Sequence, residues 1–260
     1  MKDKAIPSGA QAVERALSIL EYVALANKPA TVDEIAENTR LHRNTAYRLI
    51  RALAARDYLD VEDGTYSLGP MAIVLGQSTS RDKVLLRMCE PHLQELCETI
   101  GEVVNLGLLR QWEIFYLGRW EPSEPTPGIY VRTGQRAPLY ASALGKMMLA
   151  SMSLRDREAY YSKCQLIRYT RHTITNLDQL RAIVAMVEER GYGEDVEEIS
   201  EGVRCIAKPI VANKEVVGVA SISIPTVRFS EEKKSRHLKE LEKAVARIGQ
   251  ELSLPRLVAP

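Results

Sequence analysis

No run in the 260-residue chain approaches the ~18 uninterrupted apolar residues of a membrane-spanning helix, so no membrane partner is expected. The opening Met1-Lys2-Asp3-Lys4-Ala5-Ile6-Pro7-Ser8 lacks an apolar core of signal-peptide length, which sets the expectation of a cytoplasmic protein. Cysteine is scarce: Cys89, Cys97, Cys164 and Cys205 form no C-x-x-C pair and are expected as reduced thiols. The four histidines, His42, His92, His172 and His237, are scattered without an H-E-x-x-H, so no metal is expected. G-x-S-x-G, P-loop and G-x-G-x-x-G signatures are missing, and Glu197-Glu198 reads as part of a solvated charged loop. Neither a catalytic residue nor a cofactor is therefore expected. Excess charge is lacking too: the net is +1, far below that of a protein coating nucleic acid over its whole surface.

What is present is ordinary globular composition, 45% hydrophobic and 27% charged. The length corresponds to ~1.7 domains of usual size. The first third reads as helices. Residues 11–26 carry Val13, Ala16, Leu17, Leu20, Val23 and Ala24 at amphipathic spacing. Thr31 and Glu34 have the spacing of a capping box that opens a short second helix. After a turn at Arg40-Leu41-His42, a third helix is predicted over 43–56, with Ala46, Leu49, Ile50 and Leu53 inward. Asp63-Gly64 between the extended runs 58–62 and 65–68 is a strong hairpin signal. Helix, helix, turn, helix, hairpin is the order of a winged helix-turn-helix.

Gly69-Pro70 breaks the chain. Helical periodicity resumes over 71–76 and 82–100, with Pro91 expected to interrupt the second run. Two hairpins are predicted beyond it, 103–110 with 114–121 around Gln111-Trp112-Glu113, and 205–211 with 215–225 around Ala212-Asn213-Lys214. A short strand is expected at 129–132, and helices at 143–152, 154–162, 177–190 and 230–252. The resulting fold class is α+β: residues 1–70 as the winged helix-turn-helix, 71–89 as a helical linker, and 90–260 as a mixed sheet-and-helix domain.

Between Asn38 and Arg56 there is no acidic residue, yet Arg40, Arg43, Arg48, Arg51 and Arg56 all fall there. Residues 1–77 hold nine Lys/Arg and ten Asp/Glu, a net of −1, so positive charge is segregated onto one element. On the third helix Asn44, Arg48 and Arg51 share the face opposite the apolar stripe. Arginine pairs bidentately with guanine and asparagine with adenine, and first-turn residues such as Arg43 and Asn44 are those that usually reach base edges. Thr45 and Tyr47 suit phosphate contacts, and Arg56 and the hairpin are expected to touch the backbone or the minor groove. Double-stranded operator DNA is the expected partner.

Several segments resemble the IclR family of bacterial transcription regulators. They are Gln11 to Leu20, Asn44 to Ile50, Tyr66 to Gly69, Gly134 to Lys146, Glu201 to Ile210 and Val216 to Pro225. The resemblance spans about residues 10–252. It implies a winged helix-turn-helix, a helical linker and a GAF-like effector-binding domain, assembled as a homodimer that can pair into a dimer of dimers. It also implies a repressor of a catabolic operon more readily than an activator. The sequence departs from the pattern at Tyr140, where many members carry histidine, a difference that bears on which ligand fits.

The residues suggest a small-molecule site. Ser142 reads as the N-cap of a helix whose free N–H groups attract an anion. Ser221 and Ser223 alternate with Ala220, Ile222 and Ile224, so both hydroxyls share one face of a strand and need partners. The resemblance implies an effector pocket at Ala143, Leu144, Asp195, Val203, Cys205, Ser221 and Ser223, and Ile129 and Tyr130 are further candidate apolar walls. A carboxylate or aromatic acid is the expected effector. Asp195 is awkward beside an anion and is expected to accept a hydrogen bond or to be protonated. Two other readings differ in class. An enzyme fused to a DNA-binding module would need a nucleophile or acid/base set, and a protein-interaction module would need no pocket.

Overall fold

Where helical spacing and a capping signal coincide in the sequence, the elements form as expected. The computed structural model describes residues 10–26, 28–77, 81–123 and 132–254. All but the last residue of the expected strand at 129–132, and with it Ile129 and Tyr130, lies outside the described residues. The chain divides into two compact units, Met1–Ser80 and Arg81–Pro260.

The first unit runs α1 (Gln11–Leu25), β1 (Ala30–Thr31), α2 (Val32–Asn38), α3 (Arg43–Ala54), β2 (Leu59–Glu62), β3 (Thr65–Leu68) and α4 (Pro70–Gln77). The capping box is complete: Glu34 N–H donates to Thr31 Oγ1 at 3.3 Å, and Thr31 N–H donates to Glu34 Oε2 at 2.8 Å. Strands β2 and β3 pair antiparallel across Asp63-Gly64, and β1 joins on the other side of β3. Ile19, Val23, Ile35, Ala46, Ile50 and Leu59 form the core of this winged unit, between α1, α2, α3 and the hairpin. On α1 the buried positions are Ile19 and Val23. Val13 and Leu17, expected inward, are more than half exposed. A fifteen-residue helix carries two apolar stripes here, and only one meets the core of its own unit. Pro70 is the first residue of α4, where its missing N–H costs nothing.

The second unit runs α5 (Arg81–Ile100), β4 (Val103–Arg110), β5 (Glu113–Trp120), β6 (Arg136–Pro138), α6 (Ala143–Ser151), α7 (Leu154–Tyr161), α8 (Leu177–Arg190), β7 (Gly193–Val196), β8 (Val203–Ala212), β9 (Glu215–Pro225) and α9 (Glu231–Ser253). The six strands form one antiparallel sheet in the order β6-β5-β4-β9-β8-β7. Helices α5 and α9 pack on one face through Leu93, Leu96, Leu241 and Ile248 against Ile206 and Ile222. Helices α6 and α8 pack on the other through Leu144, Leu149, Leu180 and Val184.

Three expectations need correction. Pro91 does not interrupt α5, which is continuous across it. Proline forfeits one backbone hydrogen bond, but Cys89 and Leu93 on either side are fully buried, and that packing holds the helix. The turns after β4 and β8 are two residues long, not three. Gln111-Trp112 and Asn213-Lys214 all have positive φ, as do Asp63 and Gly64, and a tight turn between right-twisted strands requires this. Finally β6 and β7, too short to show alternation, escaped the sequence reading.

Candidate functional site

In the first unit the site is α3. His42 caps it, its Nδ1 accepting from Asn44 N–H at 3.3 Å. Ala46 and Ile50 turn into the core. Asn44, Tyr47, Arg48 and Arg51 are exposed on the outer face with Arg43, while Thr45 is half-buried. Arg43 is steered by Asp33 of α2, with Nε to Oδ1 at 2.5 Å, so its guanidinium is partly committed before any ligand arrives. Arg40, in the turn before α3, has φ 55. The hairpin, where phosphate contact is expected, carries acidic charge at its tip. Its tip presents Asp60, Glu62 and Asp63, all exposed, and carboxylates repel a phosphate backbone. Arg56 remains exposed beside it and keeps the expected sign of charge.

In the second unit strand register assembles the site. Asp195, Cys205, Ser223 and Val103 stand opposite one another across β7, β8, β9 and β4. Two residues along, Gly193, Ala207, Ser221, Asn105 and Arg119 form a parallel row on the same face. Val203 sits two residues from Cys205 and packs with Val103. The N-terminus of α6 lies over these rows. A Cβ on Gly193 would overlap the carbonyl oxygen of Ala143, so glycine is what lets α6 approach β7. Ser142 Oγ accepts from Gly145 N–H and donates to the Pro138 carbonyl, both at 3.0 Å. That cap serves the third residue of the helix. The N–H groups of Ala143 and Leu144 have no acceptor within it.

Asn105, which the sequence reading missed, joins this candidate site. Its Nδ2 donates to Ser221 Oγ at 3.4 Å and to Ser223 Oγ at 3.1 Å. Arg119, which can only donate, lies 3.5 Å from its Oδ1 and fixes the amide orientation. Cys205 Sγ lies 3.3 Å from Ser223 Oγ. The two serines therefore act as acceptors within the sheet, and each retains an O–H to donate. Burial pushes the Cys205 thiol, and the Tyr116 phenol facing Asp195 and Cys205, well above their ordinary ranges, so both are neutral donors.

Asp195 is 4% exposed, and its Oδ1 accepts from Glu198 N–H at 2.7 Å. Burial raises its pKa to about 7, and the charge of Glu198 adds to the effect against Lys146 and the N–H groups of Glu198 and Ile199. Glu198 overturns its sequence reading. It is buried and ion-paired with Lys146, which is itself 1% exposed. Nothing at Glu197-Glu198 marks one of the two as buried; the pairing exists only in three dimensions. Tyr140 is committed to the protein: its hydroxyl bonds the Ile167 backbone and its ring stacks on Tyr169. Its polar group thus anchors the segment around Ile167.

Two cavities lie elsewhere in this unit, about 200 Å³ between α5 and α9 at His92 and Arg247, and about 480 Å³ at Asp82, Val217 and Leu252. Neither is lined by Asp195 or the serines, so the site rests on convergent polar groups rather than on those hollows. Cys89 and His92 stand three apart on α5, but Cys89 faces the core and His92 pairs with Glu251. Among the described residues no three His, Cys, Asp or Glu side chains converge as a metal set. No helix among them is long and apolar enough to cross a membrane.

Comparison with known proteins assigns both units to one family. Residues 12–63 match the family model described as the IclR helix-turn-helix domain, and residues 77–250 match the bacterial transcriptional regulator IclR C-terminal model. The chain is 31% identical over 252 residues to the HTH-type transcriptional regulator KdgR of Escherichia coli, covering 95% of this chain and 94% of the relative. It is 33% identical over 249 residues to BhcR of Paracoccus denitrificans, covering 94% and 87%. Among solved structures it is similar to the Thermotoga maritima IclR, with TM-score 0.76, 27% identity and coverage of 94% and 99%. It is also similar to an IclR homolog of Microbacterium hydrocarbonoxydans complexed with 4-hydroxybenzoate, with TM-score 0.76, 25% identity and coverage of 93% and 98%.

Proposed function

The chain belongs to the IclR family of bacterial transcriptional regulators, and we propose that it acts as a homodimer that sets two copies of α3 into operator DNA and answers to a small carboxylic or aromatic acid. It is a DNA-binding regulator of transcription rather than an enzyme. The observation that carries the reading of the first unit is α3 itself, a buried apolar stripe backed by an exposed face of Asn44, Arg48 and Arg51. In this reading those three residues and Arg43 meet base edges, and Thr45 and Tyr47 meet phosphate.

Dimerisation gathers support from apolar surface that the first unit leaves uncovered. Val13 and Leu17 on α1, and Ile73, Val74 and Leu75 on α4, are all more than half exposed. A second copy of the chain is the occupant this reading assigns to them, with pairing into a dimer of dimers as a further step. Residues 1–70 then serve as the reading head, 71–89 as the helical linker and 90–260 as the effector domain of a cytoplasmic protein. A relative named as a repressor, YiaJ of Escherichia coli, is 28% identical, and repression of a catabolic operon is the sign proposed here.

For the effector, the proposed contacts are the free N–H groups of Ala143 and Leu144 for a carboxylate, and the O–H groups of Ser221 and Ser223. Asp195, Val203 and Cys205 complete the site, with Ile129 and Tyr130 as further walls. The acid bound by the Microbacterium relative makes 4-hydroxybenzoate the first probe. A thermal-shift screen of small carboxylates and aromatic acids tests the reading, because a ligand that binds only the folded state raises its stability. The Ser221→Ala/Ser223→Ala variant should retain operator binding and lose that shift. Full ligand affinity in this variant would place the site elsewhere.

A further inference from the structure

Asp195 on β7 and Glu198 in the turn after it both lie near one buried ammonium, Lys146, beside the candidate effector site. Lys146 leaves the first turn of α6 and reaches Glu198 Oε1. Glu198 Oε2 is buried with no hydrogen-bond partner. The backbone N–H of the same Glu198 donates to Asp195. With all three groups ionised, this centre holds one positive charge against two negative charges in a region shielded from water. Burial of this kind disfavours the extra negative charge, and a carboxyl can discharge it by holding a proton.

We propose that Asp195 carries a proton when an anionic effector is bound, so that the site takes up the anion and one proton together. This inference rests on the effector reading above and names the charge state of what the site accepts. Lys146 and Glu198 act as positioning residues: their ion pair fixes the turn that follows Asp195 and engages the Lys146 ammonium.

The surroundings of Asp195 agree. From α6 the group facing it is Lys146, from its own turn Glu198, from β8 the Cys205 thiol, and from β5 the Tyr116 phenol. Cys205 and Tyr116 stay neutral near pH 7, as their raised pKa values require. Glu194 is engaged instead with Arg190, Arg204 and Lys234. An anion at the N–H groups of Ala143 and Leu144 adds a third negative charge to the pair already present. Protonated, Asp195 changes from a repelling acceptor into a donor for a ligand oxygen. Burial already lifts its pKa to about 7 in the free protein, so the proton is available at neutral pH. The sign follows by linkage. Affinity for an anion is flat below that value and falls about tenfold per pH unit above it, until Asp195 in the complex ionises in turn.

The test uses the full-length protein with 13C-labelled aspartate carboxyls, Asp195→Asn assigning the resonance, and sodium 4-hydroxybenzoate and sodium benzoate as probes with 4-hydroxybenzamide as the uncharged control. Asp195 should titrate near neutral pH without probe. A saturating anion should move its midpoint up by about one unit or more, and the amide should leave it in place. Glu198→Gln should lower the midpoint by removing the neighbouring charge and freeing Lys146. Calorimetry at pH 8 in two buffers of different ionisation enthalpy should give an uptake of about 0.4 proton for a one-unit shift, rising toward one for a larger shift, and absent in Asp195→Asn. An ordinary carboxylate midpoint for Asp195, or anion affinity that is pH-independent, overturns this inference and leaves the effector reading standing. Absence of binding by either anion at any pH from 5 to 8 overturns both.

Discussion

The Tyr140 hydroxyl donates to the carbonyl of Ile167 and accepts from its N–H, at 2.8 Å in each direction. A side chain just ahead of the α6 N-cap thus supplies, from 27 residues away, the two hydrogen bonds that a strand partner would supply. Tyr140→Phe removes both and leaves two partly buried backbone groups unpaired. We expect a loss of about 1–3 kcal/mol. Urea unfolding should show a lower midpoint at unchanged slope. Unchanged stability would mean that the segment around Ile167 is held by other contacts.

Arg48→Ala should weaken specific operator binding by roughly 1–3 kcal/mol per monomer if this side chain reads a base edge. If Arg56 meets phosphate, Arg56→Ala should weaken specific and non-specific DNA binding alike and reduce the salt slope by about one. Gel-shift titrations on operator and random duplex at two salt concentrations separate the cases. Equal losses on both duplexes for Arg48→Ala would remove it from the base-reading set.

The acidic hairpin tip gives a prediction of opposite sign. Asp60→Asn/Glu62→Gln/Asp63→Asn should tighten DNA binding several-fold to about tenfold at low salt, with the gain shrinking as screening increases. A gain independent of salt, or a loss of affinity, would mean that these carboxylates do not face the phosphates.

His237 on α9 is 1% exposed, and neither ring nitrogen has a hydrogen-bond partner. Burial first, and then Lys233 and Arg236, hold its pKa down to about 4 from an ordinary 6.5. Below pH 6.5 the unfolded chain gains a proton that the folded chain refuses, so stability falls as pH drops from 6.5 toward 4. His237→Leu should remove that dependence, on the order of 2–3 kcal/mol across the interval. Denaturant unfolding at pH 7 and pH 4.5 measures it. Identical pH dependence in the two proteins would show that His237 is hydrated or paired in solution.

The parts of the molecule written in local chemistry were legible in its sequence. Thr31 and Glu34 announce a helix start three residues apart, Asp63-Gly64 announces its turn, and Ser221 and Ser223 disclose a shared face by alternation alone. Gln111-Trp112 makes a turn of the same backbone type, yet neither residue favours positive φ, so the strand pairing must impose it. Lys146 and Glu198 lie 52 positions apart, and each looks like ordinary surface charge. Asn105 sits in the apolar run of β4 and becomes a site residue only when register sets it opposite Ser221. Tertiary pairing decides all three, and no window of sequence contains it.

Because the row of Asp195, Cys205, Ser223 and Val103 is fixed by the hydrogen-bonded ladder, the site has a grammar of its own. Exchanging one of these side chains changes the word without moving its place in the sentence. Deleting a single residue inside β8 would slide Cys205 out of step and turn the neighbouring side chains toward the opposite face. Ligand preference within such a framework can therefore drift by point substitution. Changes of length have to fall outside the strands, in the connections that no ladder reads.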